Sequence, residues 1–305
     1  MINFIDRYRG DFGVERICRV LREHCADGFL SSRGYYAAKK RKPSTRQLRD
    51  EILIEEIKKI HAESYGVYGV RKMHKAMLRA GWDIGRDQTA RLMHLAGVEG
   101  ARRGRKPITT RPATSDSRPD LVQRDFTASR PNQLWVADIT YVRTISGFVY
   151  TAFVIDVYTR KIVGWSVGST LKTEDLPLQA LEQAIVLAKD SLEGLVHHSG
   201  HGVQYVSIVY NDKLADYGIL PSTGTVGDSY DNALAETING LYKTELIYSR
   251  RWESLMDVEF ATMNWVYWYN TQRLHEALDY HTPTEIENMY YTKQREAHQA
   301  LTPTT

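Results

Sequence analysis

The stretch "LWVADITYVRTISGFVYTAFVIDVYTRKIVGWSVG", residues 134–168, decides the fold. It divides into three β-rich runs, 134–142, 148–159 and 161–168, with a Ser-Gly turn signal between the first two. Short runs rich in Val, Ile, Tyr, Phe and Thr, separated by tight turns, read as successive strands of a meander. Beyond them the period changes. "TEDLPLQALEQAIVLAKD", residues 173–190, carries apolar residues at helical spacing after a Thr-Glu-Asp start. Leu195-Val196 then forms a short apolar strand running into "HHSGHG", and a helical segment is expected at Val203-Gln204-Tyr205. The run "ILPSTG" and the helix "NALAETINGLYKTEL" complete the order β-β-β-α-β-α-β-α. That order predicts a mixed five-stranded sheet, three strands as a meander and two reached through helices, with helices covering its faces.

Upstream of the sheet the character differs. Residues 1–125 hold 27 Lys and Arg against 16 Asp and Glu, a net charge of +11, whereas 126–305 hold 13 against 21, a net charge of −8. A basic half joined to an acidic half suits a protein that grips a polyanion with one part and uses carboxylates in the other. The boundary is a segment rich in Pro, Ser, Thr and Arg, residues 101–133. Before it, 65–98 shows two helical patterns around Gly81: Val70, Met73, Met77 and Leu78, then Ala90, Leu92, Met93 and Ala96. Two short helices across a glycine turn predict a helix-turn-helix, with Arg86, Asp87, Gln88 and Arg91 at the exposed start of the second helix. The run Arg102-Arg103-Gly104-Arg105-Lys106 can follow a phosphate backbone. Residues 13–25 form a further helical pattern, followed by the basic "SSRGYYAAKKRK". That region reads either as another small DNA-contacting unit or as a solvated basic surface.

The remaining composition is that of an ordinary globular protein, 42% hydrophobic and 25% charged. No apolar run approaches the roughly 20 residues of a membrane span, and no signal-peptide pattern opens the chain. Two cysteines, Cys18 and Cys25, predict buried free thiols in a reducing compartment, so a cytoplasmic protein is expected.

Two carboxylates stand out. Asp138 lies within a strand between apolar neighbours, where an ionised group needs compensation such as a bound cation. Glu236 lies on the last predicted helix, on one face with Asn239 and Lys243. Asp228 and Asp231 precede that helix as capping candidates, and Asp156 ends the second strand, where it organises a turn with Thr159 and Arg160. Ser222, Thr225 and Ser229 have no evident base partner, which argues against hydrolase chemistry on a serine or threonine nucleophile.

Four ordered blocks carry a resemblance. They are Trp135-x-x-Asp138-Ile139-Thr140-Tyr141, Asp156-x-Tyr158-Thr159-Arg160, His198-Ser199-x-x-Gly202-x-Gln204-Tyr205 and Asp228-x-Tyr230-Asp231-Asn232-Ala233-x-Ala235-Glu236. Together with "YNTQRLHEALDYHTPTEI", 269–286, they resemble the IS-three family of bacterial insertion-sequence transposases, second-reading-frame product, with a retroviral-integrase-type core. The resemblance implies an α/β catalytic core of ribonuclease-H type preceded by a small all-α helix-turn-helix region. The division it suggests is a basic helical segment at 1–44, the helix-turn-helix at 45–100, a basic linker at 101–130, the core with C-terminal helices at 131–290, and a tail at 291–305.

The family's catalytic triad is Asp-Asp-Glu with 35 residues between the second and third members. Its first member falls on Asp138 and its third on Glu236, so the second falls on Gly200, where the family's His-Ser-Asp reads His-Ser-Gly. Lys243 matches the basic position that contacts the transposon end. The resemblance further implies two Mg²⁺ ions per intact active site, with Mn²⁺ as a substitute, and a reaction that cleaves and transfers DNA strands. His197, His198 and His201 are expected to be packing or DNA-proximal residues rather than to replace the lost ligand. The implied partners are DNA (terminal inverted repeats and target), further copies of the chain on that DNA, and a first-reading-frame product as fusion or partner. No membrane is implied, and the location is cytoplasmic and nucleoid-associated. With Gly200 the expectation is strongly impaired catalysis. The alternatives are a non-catalytic end-binding protein from a decayed element and a ribonuclease-H-like nuclease.

Overall fold

The structure is a computed structural model that describes residues 1–25, 29–102, 119–123, 125–200, 202, 204–223 and 232–301. Structural statements below concern these residues. The chain forms two compact units, 1–55 and 56–305.

The first unit contains α1 (Ile2–Phe12), α2 (Val14–His24) and α3 (Ser32–Lys40). Ile5, Ile17, Cys18 and Tyr35 form its core, one or two residues from each helix. Tyr35 donates to Asp6 Oδ1 at 2.7 Å and Lys39 pairs with Asp6 Oδ2 at 3.1 Å, fixing which side of α3 faces inward. Of the two cysteines only Cys18 is buried. Cys25 is exposed, against expectation, because it stands just past the end of α2 rather than on its apolar stripe.

Helix α4 (Thr45–Glu63) precedes the helix-turn-helix pair α5 (Val70–Arg79) and α6 (Arg86–Ala96). Met73 and Met77 on α5 and Thr89, Leu92 and Met93 on α6 are the buried residues of the pair. Leu78 is turned to solvent. Gly97 ends α6 in the left-handed conformation, φ 69°, which glycine adopts without a Cβ penalty.

The sheet is mixed and five-stranded, as the element order predicts. Its strands are β1 (Leu134–Thr144), β2 (Gly147–Asp156), β3 (Ile162–Gly168), β4 (Val196–Ser199) and β5 (Leu220–Thr223), in the spatial order β3-β2-β1-β4-β5. The meander β1-β2-β3 is antiparallel, and β4 and β5 add in parallel beyond β1. Helix α7 (Pro177–Leu187) runs between β3 and β4 and α8 (Ile208–Asp216) between β4 and β5, and α9 (Ala233–Glu245), α10 (Leu255–Thr271) and α11 (Pro283–Leu301) follow β5. The helix expected at 203–205 begins instead at Ile208. Ser207 caps it by accepting from the Tyr210 N–H, while 204 and 205 form a turn.

Alternation along the strands sorts the two faces. Trp135 and Ala137 of β1 and Ala152 and Val154 of β2 join Leu181 and Ala184 of α7 and Tyr210 and Leu214 of α8 in one core. The opposite face carries Phe153, whose ring stands 5.1 Å from Tyr242 of α9 and 6.1 Å from Trp265 of α10. Asp138 has the parity of this second face. Gly164 on β3 permits the close approach of α7, because a Cβ there would lie 2.0 Å from the Ala180 carbonyl oxygen.

The C-terminal signature builds a buried polar framework. Asn270 accepts from the Ile162 N–H at 3.0 Å and donates to the Ile162 carbonyl at 2.9 Å, pinning the start of β3. Arg273 forks onto Glu245 through three contacts of 2.6–3.1 Å, with both residues at most 5% exposed. Its remaining nitrogen faces His275 Nδ1 at 3.2 Å, and burial together with the Arg273 charge pushes the imidazole down to about 2, so it stays neutral. Tyr68, just before α5, joins this framework. Its hydroxyl accepts from the Leu274 N–H at 2.8 Å, and Arg79 of α5 makes a two-pronged contact to Glu285 at 2.8 and 2.9 Å. The helix-turn-helix pair is thereby fixed to the C-terminal helices.

Candidate active site

The site forms where β1 meets β4 and α9 crosses above them. Asp138 sits mid-β1, in register with Phe153 of β2. Its Oδ1 accepts from the Ile139 N–H at 2.9 Å and its Oδ2 from Asn239 Nδ2 at 2.9 Å. Burial, reinforced by the negative charge of Glu236, pushes the Asp138 carboxyl up to about 6. The two hydrogen bonds and the Lys243 charge oppose that rise. A carboxyl held this far above its ordinary range, beside a second carboxylate, is in the condition a cation would relieve.

Glu236 lies in the first turn of α9, exposed, one turn before Asn239 and two before Lys243. Asn232, at the start of that helix, donates to the Ala137 carbonyl at 2.9 Å and so ties the helix entrance to the residue preceding Asp138. The Lys243 ammonium stands 4.3 Å from the centre of the Tyr141 ring, a cation–π contact with a residue farther along β1.

Gly200 follows the last residue of β4. The parallel register pairs Trp135 with His197, Val136 with His198 and Ala137 with Ser199, and Asp138 and Gly200 are the residues that follow the last pair. Paired residues of parallel strands project to the same face, which directs a side chain at 200 toward the Asp138 side. A Cβ built on Gly200 meets no atom within 4 Å among the described residues, and its φ lies outside the left-handed region. The position therefore has room for a side chain and no backbone need for glycine. Among the described residues no group of three or more His, Cys, Asp or Glu side chains is arranged to hold a metal. The carboxylates here are two, Asp138 and Glu236.

The other candidates separate from this cluster. His197 and His198 are buried packing residues: His197 Nε2 lies 3.0 Å from the Tyr210 hydroxyl and His198 Nδ1 lies 2.9 Å from Ser222 Oγ. Ser222 thus has an imidazole partner that its sequence context does not reveal. Both groups are closed off from solvent, and Ser222 Oγ also accepts from the Leu121 N–H, so the pair locks β4 to β5. Asp156 accepts from the Asn132 N–H, the Thr159 N–H and the Thr159 hydroxyl at 2.7–2.8 Å, the turn role expected of it, with Arg160 at a positive φ of 61°.

On α6, Arg86 is exposed and pairs with Asp87 at 3.2 Å, while Gln88 and Arg91 are half-buried. Arg102 is exposed and stands 3.9 Å from Glu99. Arg103, Arg105 and Lys106 lie outside the described residues, as do His201, Thr225, Asp228, Ser229 and Asp231. Two contributors escaped assignment in the sequence. Asn239 shares the helical face of Glu236 and Lys243, but only the three-dimensional structure pairs it with Asp138. Asn232 acts on a carbonyl 95 residues away.

Comparison with known proteins follows the same division. Residues 128–229 and 217–283 match integrase core domain families, and 47–106 match an HTH-like domain family. The transposase for insertion sequence element IS629 from Shigella sonnei is 45% identical over 95% of this chain and 97% of its own length. The transposase for insertion sequence element IS904 from Lactococcus lactis subsp. lactis is 35% identical over 81% of this chain and 98% of its own. Among solved structures, the HTLV-2 integrase catalytic core domain is similar over 52% of this chain and 98% of that one, at 19% identity and a TM-score of 0.41.

Proposed function

The chain belongs to the IS-three family of insertion-sequence transposases, and on that premise we propose that it binds the ends of its element and is built for strand cleavage and transfer, with Gly200 disabling the chemistry. The proposed domain roles are DNA recognition by 45–100 and 101–130 and catalysis by 131–290, with copies of the chain assembling on DNA. A first-reading-frame segment is a fusion or partner in the same proposal.

One observation carries the reading. Asp138 and position 200 each come one residue after the paired Ala137 and Ser199 of adjacent parallel strands, and the charge of Glu236 on α9 helps raise the Asp138 pKa. Three acidic side chains at these positions would suit two hard divalent cations, because Mg²⁺ takes oxygen ligands and keeps several waters. The residues present fit one such ion, held by Asp138 and Glu236. The second ion lacks its ligand at 200. A divalent ion in this site supplies charge neutralisation and activation of oxygen for phosphodiester exchange.

The chain's own residues do the rest. Asn239 holds Asp138 in one orientation, Asn232 sets the helix that carries Glu236, and Lys243 offers a cation to the phosphate of a bound strand. Arg86, Gln88 and Arg91 on α6, with Arg102, Arg103, Arg105 and Lys106 after it, would grip the duplex.

Strand transfer with labelled element ends and Mg²⁺, run on this chain and on Gly200→Asp, tests the reading. The aspartate variant is expected to gain activity over a nearly inactive parent of equal DNA affinity. A variant no more active than the parent would overturn the assignment of position 200.

A further inference from the structure

Residues 1–44 precede the segment at 47–106 that matches the HTH-like domain family, and they fold around a core of their own. We propose that this unit is a second duplex-DNA-binding module, with α3 as the helix that enters the major groove.

The inward face of α3 is fixed by Tyr35 in the core and by Lys39 on Asp6. That leaves Arg33, Tyr36, Ala37 and Lys40 on the outward side, at i, i+3, i+4 and i+7, all exposed. Two cations flank an aromatic ring and a small residue, and α3 contains no acidic side chain. The sequence from 28 to 49 carries seven Lys and Arg and no Asp or Glu, so this helix and the segment after it form a single-sign surface. The helix start is well defined, since Ser31 Oγ accepts from the Gly34 N–H at 3.0 Å. Helix α2 precedes α3 in the sequence, and its exposed Arg16, Arg19 and Arg22 add cations from a second helix. A helix of this width fits the major groove, where Arg and Lys reach base edges and phosphates and an alanine allows close approach.

The proposal is independent of the roles given to α6 and to the carboxylates. The full-length chain is titrated onto a fluorescein-labelled, random-sequence 30-base-pair duplex in EDTA, following anisotropy from 50 to 200 mM KCl. Each phosphate contact contributes about 0.9 to the slope of log affinity against log salt. Arg33→Ala combined with Lys40→Ala is therefore expected to flatten the slope by about 1.8. Over that salt range the parent then loses about 12-fold more affinity than the variant. Arg33→Lys combined with Lys40→Arg is expected to keep the parent slope, and circular dichroism to show the parent helix content throughout. Arg33→Gln with Lys40→Gln supplies the same charge removal should the alanine pair lose helix. An unchanged slope and affinity in the charge-removed variants would overturn the proposal, whatever Arg86→Ala with Arg91→Ala does. A flattened slope there sustains it. Loss of binding in the α6 pair alone overturns this inference and leaves the helix-turn-helix reading standing. Loss in the α3 pair alone does the reverse.

Discussion

Asp138→Asn should stabilise the protein while abolishing whatever metal binding remains. The Asp138 carboxyl is pushed from 3.8 to about 6 in the folded chain, chiefly by burial and then by Glu236. A carboxyl whose folded pKa lies above its unfolded one favours the native state only while protonated. That benefit is complete below about pH 4 and is lost as pH rises through 6. With 1.36 kcal/mol per pKa unit, the ionised Asp138 costs the fold about 3 kcal/mol at pH 8 and about half that at pH 5. The new amide can keep both hydrogen bonds. Its oxygen serves the Ile139 N–H, and the Asn239 amide can turn over, since its Oδ1 has no partner among the described residues. Urea unfolding in EDTA at pH 8 should therefore show the variant more stable by about 2–3 kcal/mol, with the gain roughly halved at pH 5. A variant that is less stable at pH 8, or whose gain does not depend on pH, would refute the strained-carboxylate argument.

Gly164→Ala should destabilise by about 1–3 kcal/mol, because the added Cβ meets the Ala180 carbonyl at 2.0 Å and α7 must move. Gly200→Ala, adding the same methyl to open space, should leave the urea midpoint unchanged. Arg273→Ala leaves Glu245 charged in a site 5% exposed, at an expected cost of about 3–5 kcal/mol. Replacing Arg273 and Glu245 together with apolar residues should recover most of that loss in the same unfolding assay, and failure to recover it would show that the pair is not an isolated ionic unit.

The three meander strands were legible because alternation and turn residues are local signals, and Asp138 stood out because an acid broke the pattern. The triad interval could be counted along the chain. That Gly200 and Asp138 follow one and the same strand pair required the β1–β4 register, which pairs residues more than 60 apart. The start of α8 was missed because "GHGVQYVS" mixes turn and helix formers, and only the Ser207 cap marks the boundary. The Ser222–His198 pair was invisible because its members meet only when β4 and β5 align. The Arg- and Pro-rich segment after α6 read only as a linker between the helix-turn-helix and the core. Yet Tyr68 bonds to Leu274, 206 residues away, a contact that no sequence period encodes. The signature "YNTQRLHEALDYHTPTEI" reported family without revealing its work as the socket for those helices.

In the proposed site, position 200 is the seat of a missing metal ligand beside Asp138. Mn²⁺ titration followed by electron paramagnetic resonance, on the chain and on Gly200→Asp bound to the same element-end duplex, tests it most directly. The chain is expected to hold at most one weakly bound ion per protomer, abolished by Asp138→Asn, and Gly200→Asp two ions with spin coupling. Equal stoichiometry and affinity in the two proteins would contradict it.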